Sequence, residues 1–220
     1  MGSIRLMCRP TIFLDRDGTL NEEVNYLHRP KDLRLLPTAA NAVRLWNQAG
    51  FRVAVITNQA GVARGYYREE DVKHLHEYMN QVLAEENAHI DQFYYCPHHP
   101  EHGIGSYKVR CHCRKPDIGM FEQAQRDGRV DKEHSYMIGD KWIDIEAGFR
   151  FGVNTALVGS GYGLKMWTEY QEEEKLRAGN TGWKTDDWEN VSELSKERLG
   201  YFGETLLDVA EWVLRREGKK

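Results

Sequence analysis

Phe13-Leu14-Asp15-Arg16-Asp17-Gly18-Thr19-Leu20-Asn21 is the stretch that decides the fold. The apolar run that leads into it, residues 11–14, reads as a buried strand ending at the first carboxylate. Side chains two apart on an extended chain point to the same side. Asp15 and Asp17 therefore face one small volume beyond the strand, and Gly18 lets the backbone turn away. Two carboxylates this close repel unless a cation or a shared proton lies between them. The plain alternative is a β-turn rich in Asp and Gly; the segments downstream decide against it.

Outward from this turn, strand and helix patterns alternate. Residues 21–36 are polar and broken by Pro30, which predicts a loop or small flap. Thr38 is placed to cap a helix carrying Ala39, Ala42, Val43 and Trp46, closed by Gly50. Residues 52–57 are a β-branched run, read as a buried parallel strand ending in Thr57-Asn58-Gln59. Glu69-Glu70-Asp71 opens a second helix in keeping with its dipole, with Val72, Leu75, Met79, Val82 and Leu83 as the core stripe. Strands are predicted at 93–96, 136–140 and 153–158. Between them fall a helix capped by Asp117 and another facing inward through Trp142, Ile145 and Phe149. A last helix, 204–216, turns Leu206, Leu207, Ala210, Val213 and Leu214 inward. The pattern predicts an α/β, Rossmann-like, doubly wound parallel sheet, taken as one domain over residues 1–220. Residues 164–202, with Trp167, Trp183 and Trp188, break the alternation and fit no element of it.

In such sheets ligands bind at the carboxyl ends of the strands, where Asp15, Thr57 and Asp140 all fall. An Asp nucleophile can split phosphate ester hydrolysis into two easier steps. A second acid must protonate the leaving alkoxide and later activate water, while cations and hydroxyls hold the phosphoryl oxygens. Asp15 fits the nucleophile, Asp17 the acid/base, and Thr57 and Lys115 the phosphoryl ligands. Anionic phosphate and carboxylate call for a hard cation between them, and Mg²⁺ suits. Asp15, Asp140 and a backbone carbonyl of Asp17 would hold it. Asp144, one turn past Asp140, is either an outer support of that site or a carboxylate in the first turn of its own helix. Cys96, Cys111 and Cys113 cluster around a loop that also carries His98. In a chain without an export signal this reads as a metal site before a disulfide, with buried unpaired thiols as the plain alternative. His99, His102 and His112 read as exposed loop residues or pocket contacts.

Asp15-Arg16-Asp17-Gly18-Thr19, Thr57-Asn58-Gln59, Cys113-Arg114-Lys115-Pro116 and Gly139-Asp140-Lys141 together resemble the four motifs of the haloacid dehalogenase superfamily. The resemblance extends over residues 10–163. It is closer to the branch of heptose bisphosphate and histidinol phosphatases, and Gly61-Val62-Ala63-Arg64-Gly65 and Tyr94-Tyr95-Cys96-Pro97-His98-His99-Pro100 resemble its heptose side. It implies the roles given above, little or no cap domain, and substrate contacts at Glu23, Val24, Asn25, Tyr26, Asn58, Gln59, Arg114 and Lys141. The superfamily often has Asp where this chain has Glu23. The resemblance also implies a structural Zn²⁺ on Cys96, His98, Cys111 and Cys113, within a loop of about residues 96–113.

The expected activity is Mg²⁺-dependent hydrolysis of the C7 phosphate of a heptose 1,7-bisphosphate. Histidinol phosphate is the rival substrate, and a polynucleotide end the next. A net charge of −4 without a basic run argues against nucleic acid. A zinc-stabilised binding protein without catalysis is the rival from another class; packing alone would not require every motif residue. No apolar run approaches the roughly 20 residues of a membrane span. Residues 1–5 lack a signal-peptide core, and Leu6 stands where lipidation of Gly2 would want Ser or Thr. The expectation is a cytoplasmic monomer or small homo-oligomer acting on a small phosphorylated sugar.

Overall fold

Residues Thr11–Leu14 are all buried and form β1, the centre of the sheet. The computed structural model describes residues 8–178 and 198–219. After β1 come α1 (Ala39–Gln48), β2 (Arg52–Asn58), the one-turn α2 (Ala60–Ala63), α3 (Glu69–Glu85) and β3 (Gln92–Cys96). The second half runs α4 (Gly119–Gly128), β4 (Tyr136–Gly139), α5 (Trp142–Phe151), β5 (Asn154–Val158), α6 (Gly163–Ala178), β6 (Tyr201–Gly203) and α7 (Leu206–Arg216). All strand pairs are parallel, in the order β3-β2-β1-β4-β5-β6. Strand order reverses between β1 and β4, which opens a crevice at their carboxyl ends.

Alternation along each strand divides the core into two layers. Ile12, Leu14, Val53 and Val55 pack beneath α1, α3 and α7. Phe13, Ala54, Ile56 and Met137 pack beneath α4 and α5. Leu14 is in register with Val55 on one side and Ile138 on the other. Asp15 thus lies one residue past a common level, and Thr57 and Asp140 two. This register brings three distant motifs to one edge.

Several local expectations are corrected. Helix α4 starts two residues beyond Asp117, with Ile118 at its cap position; the Asp117 carboxylate faces Arg150 at 3.4 Å instead. Thr38 occupies the cap of α1, but its side chain makes no capping bond. Phe149 is exposed, with the Arg198 guanidinium over its ring, and Phe151 takes the inward place. In α7 Val209 is buried where Leu207 is only partly so. The sixth strand, three residues long, was too short to announce itself in the sequence. Helix α6 gives part of the 164–202 segment a role. Trp167 stacks on Phe202 (4.8 Å between centroids), beside Trp142, Ile145 and Leu157, so α6 covers the β5–β6 edge. Trp183 and Trp188 lie outside the described residues, as do Gly2 and Leu6.

Candidate active site

Lys115 reaches the crevice from the cysteine loop. Its side chain is 1% exposed, and its Nζ lies 2.8 Å from Asp15 Oδ1, 2.6 Å from Asp144 Oδ1 and 2.7 Å from the Ile56 carbonyl. Asn58 holds the Lys115 backbone from both sides, accepting from its N–H at 3.0 Å and donating to its carbonyl at 3.1 Å. Burial alone would lower the pKa of this lysine, but the charges of Asp144 and Asp15 outweigh it and raise it. Lys115 is thereby fixed as a cation beside Asp15.

Asp15, Asp140 and Asp144 bring carboxylate oxygens within 4.8 Å of one another. Burial and the neighbouring Asp15 push Asp140 up to about 7. Burial, with Asp15 again adding to it, pushes Asp144 up to about 6 against the pull of Lys115. Asp140 Oδ2 accepts from the Tyr162 N–H at 3.0 Å; its buried Oδ1 has no hydrogen bond, and Lys141 Nζ stands 3.5 Å off. Three carboxylates face only two lysines here, and the donors are hard oxygens. That set fits Mg²⁺. Asp144 lies in the first turn of α5 and caps it by accepting from the Lys141 N–H at 3.1 Å through Oδ2, while its Oδ1 meets Lys115. Two glycines make room for this cluster. A Cβ on Gly18 (φ +83°) or on Gly161 (φ +56°) would fall within 2.3 Å of Asp140 Oδ2. Ser160 joins the two loops by donating to the Gly18 carbonyl at 2.7 Å.

The Asp17 side chain stands apart from that cluster. Its Oδ1 accepts from Arg16 Nε and Nη2 (3.1 and 3.0 Å) and Asn21 Nδ2 (3.0 Å); its Oδ2 accepts from Arg16 Nη2 (2.9 Å) and Gln59 Nε2 (3.1 Å). Burial raises its pKa, but the Arg16 charge and these hydrogen bonds prevail and hold it below the usual carboxylate range. Sequence reasoning gave Arg16 no task. The signal was a charged residue directly between two carboxylates at a strand end.

A cavity of about 280 Å³ opens over these groups, at the small end for ligand sites. Asp15, Asp17, Thr57 and Lys115 line it, as do Glu23, Asn25, Tyr26, Asn58, Gln59 and Lys141. Glu23 and Lys141 pair across it at 3.3 Å. Val24 does not line it; its exposed side chain borders a neighbouring depression along the flap. Arg114 does not line it either, because its Nη1 is drawn to the His98 carbonyl at 3.2 Å. Tyr67 and Tyr162 are lining residues that no motif announced.

Cys96, His98, Cys111 and Cys113 converge at the base of the loop that carries Lys115. The sulfurs are 3.1–3.4 Å apart, and His98 Nδ1 is 3.4 Å from Cys113 Sγ. Zinc–sulfur bonds of about 2.3 Å set tetrahedral sulfurs about 3.8 Å apart, so a small spreading of the sulfurs around a metal fits this set. All three thiols are free of disulfides. Hydrogen bonding with Cys96 pushes Cys113 down to about 5, while the same bond and burial push Cys96 up. His102 and His112 are exposed, and His99 caps its own loop by accepting from the Glu101 and His102 N–H groups.

Residues 112–178 match the family model described as HAD-hydrolase-like. The chain is 41% identical over 153 residues to the D-glycero-beta-D-manno-heptose-1,7-bisphosphate 7-phosphatase of Haemophilus ducreyi, covering 69% of this chain and 84% of that one. It is 44% identical over 147 residues to the D-glycero-alpha-D-manno-heptose-1,7-bisphosphate 7-phosphatase of Burkholderia mallei, covering 67% and 78%. In structure it resembles D,D-heptose 1,7-bisphosphate phosphatase from B. bronchiseptica, a crystal structure complexed with magnesium and phosphate. The TM-score is 0.73 at 28% identity, over 94% of this chain and 99% of that one. Fold and sequence together define a phosphatase of the haloacid dehalogenase-like class. Within that class the chain belongs to the family of the D-glycero-D-manno-heptose-1,7-bisphosphate 7-phosphatases.

Proposed function

We propose that the protein hydrolyses the C7 phosphate of D-glycero-D-manno-heptose 1,7-bisphosphate through an aspartyl-phosphate on Asp15. The observation that carries this reading is the buried Asp15–Lys115–Asp144 array, set beside Asp140 at the switch point of the sheet. Asp15 attacks phosphorus as the ester P–O bond breaks, and Asp17 supplies the proton that the departing C7 alkoxide takes. Water then attacks the acyl phosphate, Asp17 accepts its proton, and the P–O bond to Asp15 breaks to release phosphate. Lys115 and the Thr57 hydroxyl hold the non-bridging oxygens. Mg²⁺ on Asp15, Asp140 and the Asp17 carbonyl, with Asp144 beside them, would offset the repulsion between phosphate and carboxylate.

Glu23, Asn25, Tyr26, Asn58, Gln59 and Lys141 surround the sugar in this reading. Arg114, anchored beside the zinc loop, reads the second phosphate. Zn²⁺ on Cys96, His98, Cys111 and Cys113 is structural, since four protein ligands leave no open position. The acidic balance of the chain and the small cavity disfavour a polynucleotide end. Among the described residues no helix is long and apolar enough to cross a membrane. The reading takes the enzyme as a single phosphatase unit over 1–220, cytoplasmic, and a monomer or small homo-oligomer. Relatives named for either anomer match the chain equally well, so both anomers belong in the test. Steady-state kinetics on both, beside histidinol phosphate and a phosphorylated oligonucleotide, should favour a heptose bisphosphate, and Asp15→Asn should abolish turnover. Preference for histidinol phosphate, or normal turnover by Asp15→Asn, would overturn the reading.

A further inference from the structure

Arg16 has no solvent exposure. A guanidinium is buried only where its donors are taken up, and here four groups from separate parts of the chain take them. Nε and Nη2 fork onto Asp17. Nη2 also meets the carbonyl of Leu27 in the flap at 3.2 Å and Gln59 Oε1 after β2 at 3.1 Å. Nη1 faces His76 Nε2, on α3, at 3.3 Å. Because a guanidinium only donates, Nε2 of His76 must accept, with the ring proton on Nδ1. Burial and the Arg16 charge hold this imidazole well below its ordinary pKa, which keeps Nε2 free to accept. The ring lies flat on Phe93 (4.4 Å between centroids, 15°), so its direction is fixed by packing.

Arg16 supplies three of the five hydrogen bonds to the Asp17 carboxylate. A fourth comes from Gln59, whose amide is itself oriented by Arg16 and by the Tyr67 hydroxyl at 2.8 Å. The position of Asp17 is thus set chiefly by Arg16, which is wholly buried and does not border the cavity.

We propose that Arg16, seated on His76, is the positioning residue of the acid/base: a buried fork that fixes where the Asp17 carboxyl meets the leaving oxygen and ties that position to the flap and to α3. The proposal rests on the reading of Asp17 given above. When the ester bond breaks, its electron pair stays on the leaving oxygen. An alkoxide needs the Asp17 proton at that moment, and that proton is drawn beforehand from solvent; a nitrophenolate leaves unaided. A displaced Asp17 should therefore slow an alkyl phosphate and spare p-nitrophenyl phosphate in kcat/KM, which stops at this first cleavage. General weakening of the fold would slow both alike.

The test compares kcat/KM for heptose 1,7-bisphosphate and p-nitrophenyl phosphate in the wild type, Arg16→Lys, His76→Leu and His76→Gln, with thermal midpoints alongside. Arg16→Lys keeps the charge and loses the fork; the ratio of the two constants should fall by about 10-fold to 10²-fold, the range over which a misplaced catalytic group acts. His76→Leu removes the seat of Nη1 and should lower the ratio in the same direction. His76→Gln offers Arg16 a carbonyl oxygen and should recover most of it. An unchanged ratio in Arg16→Lys overturns the proposal, and an unchanged ratio in His76→Leu overturns the part given to His76. Should Arg16→Lys fail to fold, the two His76 variants decide by the same criterion. A wild type inactive on both substrates would remove the phosphatase reading itself, and this proposal with it.

Discussion

Replacing Lys115 with methionine should unsettle the fold as much as the chemistry. The side chain is almost wholly buried, with two carboxylate oxygens within 2.8 Å of its ammonium. At an effective dielectric near 20, each contact is worth about 6 kcal/mol before desolvation. Burying the ammonium costs several kcal/mol, so the set as a whole contributes little net stability. The variant escapes that cost only in part, because Asp15, Asp140 and Asp144 stay buried with Lys141 as their sole lysine partner. Truncating one side of such a buried pair costs about 3–5 kcal/mol, a large share of the usual 5–15 kcal/mol of a domain. Urea unfolding followed by far-UV circular dichroism measures it, in EDTA at pH 8, where carboxyls at about 7 and about 6 are ionised. Millimolar Mg²⁺ should then stabilise Lys115→Met more than the wild type, since the cation meets carboxylates that have lost their lysine. Turnover should drop by about 10²-fold to 10³-fold with or without that rescue. A loss below about 1 kcal/mol in EDTA, or equal Mg²⁺ increments in the two proteins, would refute the reasoning.

The raised Asp140 and Asp144 give a pH signature. Between about pH 4 and 7 these two carboxyls bind more protons in the metal-free fold than in the unfolded chain, so their contribution to stability falls as pH rises. Mg²⁺ displaces those protons; its lift in Tm should be larger at pH 8 than at pH 5.5, and equal lifts would contradict the site. Cys111→Ser should release zinc, lower Tm and raise KM while the sheet signal in circular dichroism persists. Protein purified without chelators that is fully active yet zinc-free would reject that metal site. Arg114→Ala should lower kcat/KM for a bisphosphate more than for a monophosphate, because its fork suits a second phosphate; equal losses would leave it a general electrostatic contact.

What the sequence made legible was whatever repeats with the period of an element or sits at the end of one. Val53, Val55 and Ile56 announced a buried strand, and Asp15, Thr57 and Asp140 were found because they follow such runs. The four zinc-type ligands were legible as a cluster around one loop. Arg16 was not, because a charged residue carries no sign that it will be wholly buried; only its partners, up to 60 residues away, make that tolerable. The place of Asp144 in the first turn of a helix was legible, but not that one of its carboxyl oxygens would cap α5 while the other meets Lys115. Arg114 adjoins a motif lysine, yet its side chain follows the loop carbonyl rather than the cavity. Phe149 obeyed a helical stripe and still faced outward, because Arg198 covers its ring from a distant segment.

Gly18 and Gly161 touch Asp140 as bare backbone, from loops that follow the first and fifth strands. Neither has a group that could take part in a reaction. In a saturation library they should nonetheless be as intolerant as the carboxylate between them, alanine included. An added methyl at either site would collide with the same oxygen, and both φ values already favour glycine. Nor should one position compensate for the other, since the two backbones are also in contact with each other. A map of tolerated substitutions would thus outline this site by its emptiest residues, at positions where a search for reactive side chains finds nothing.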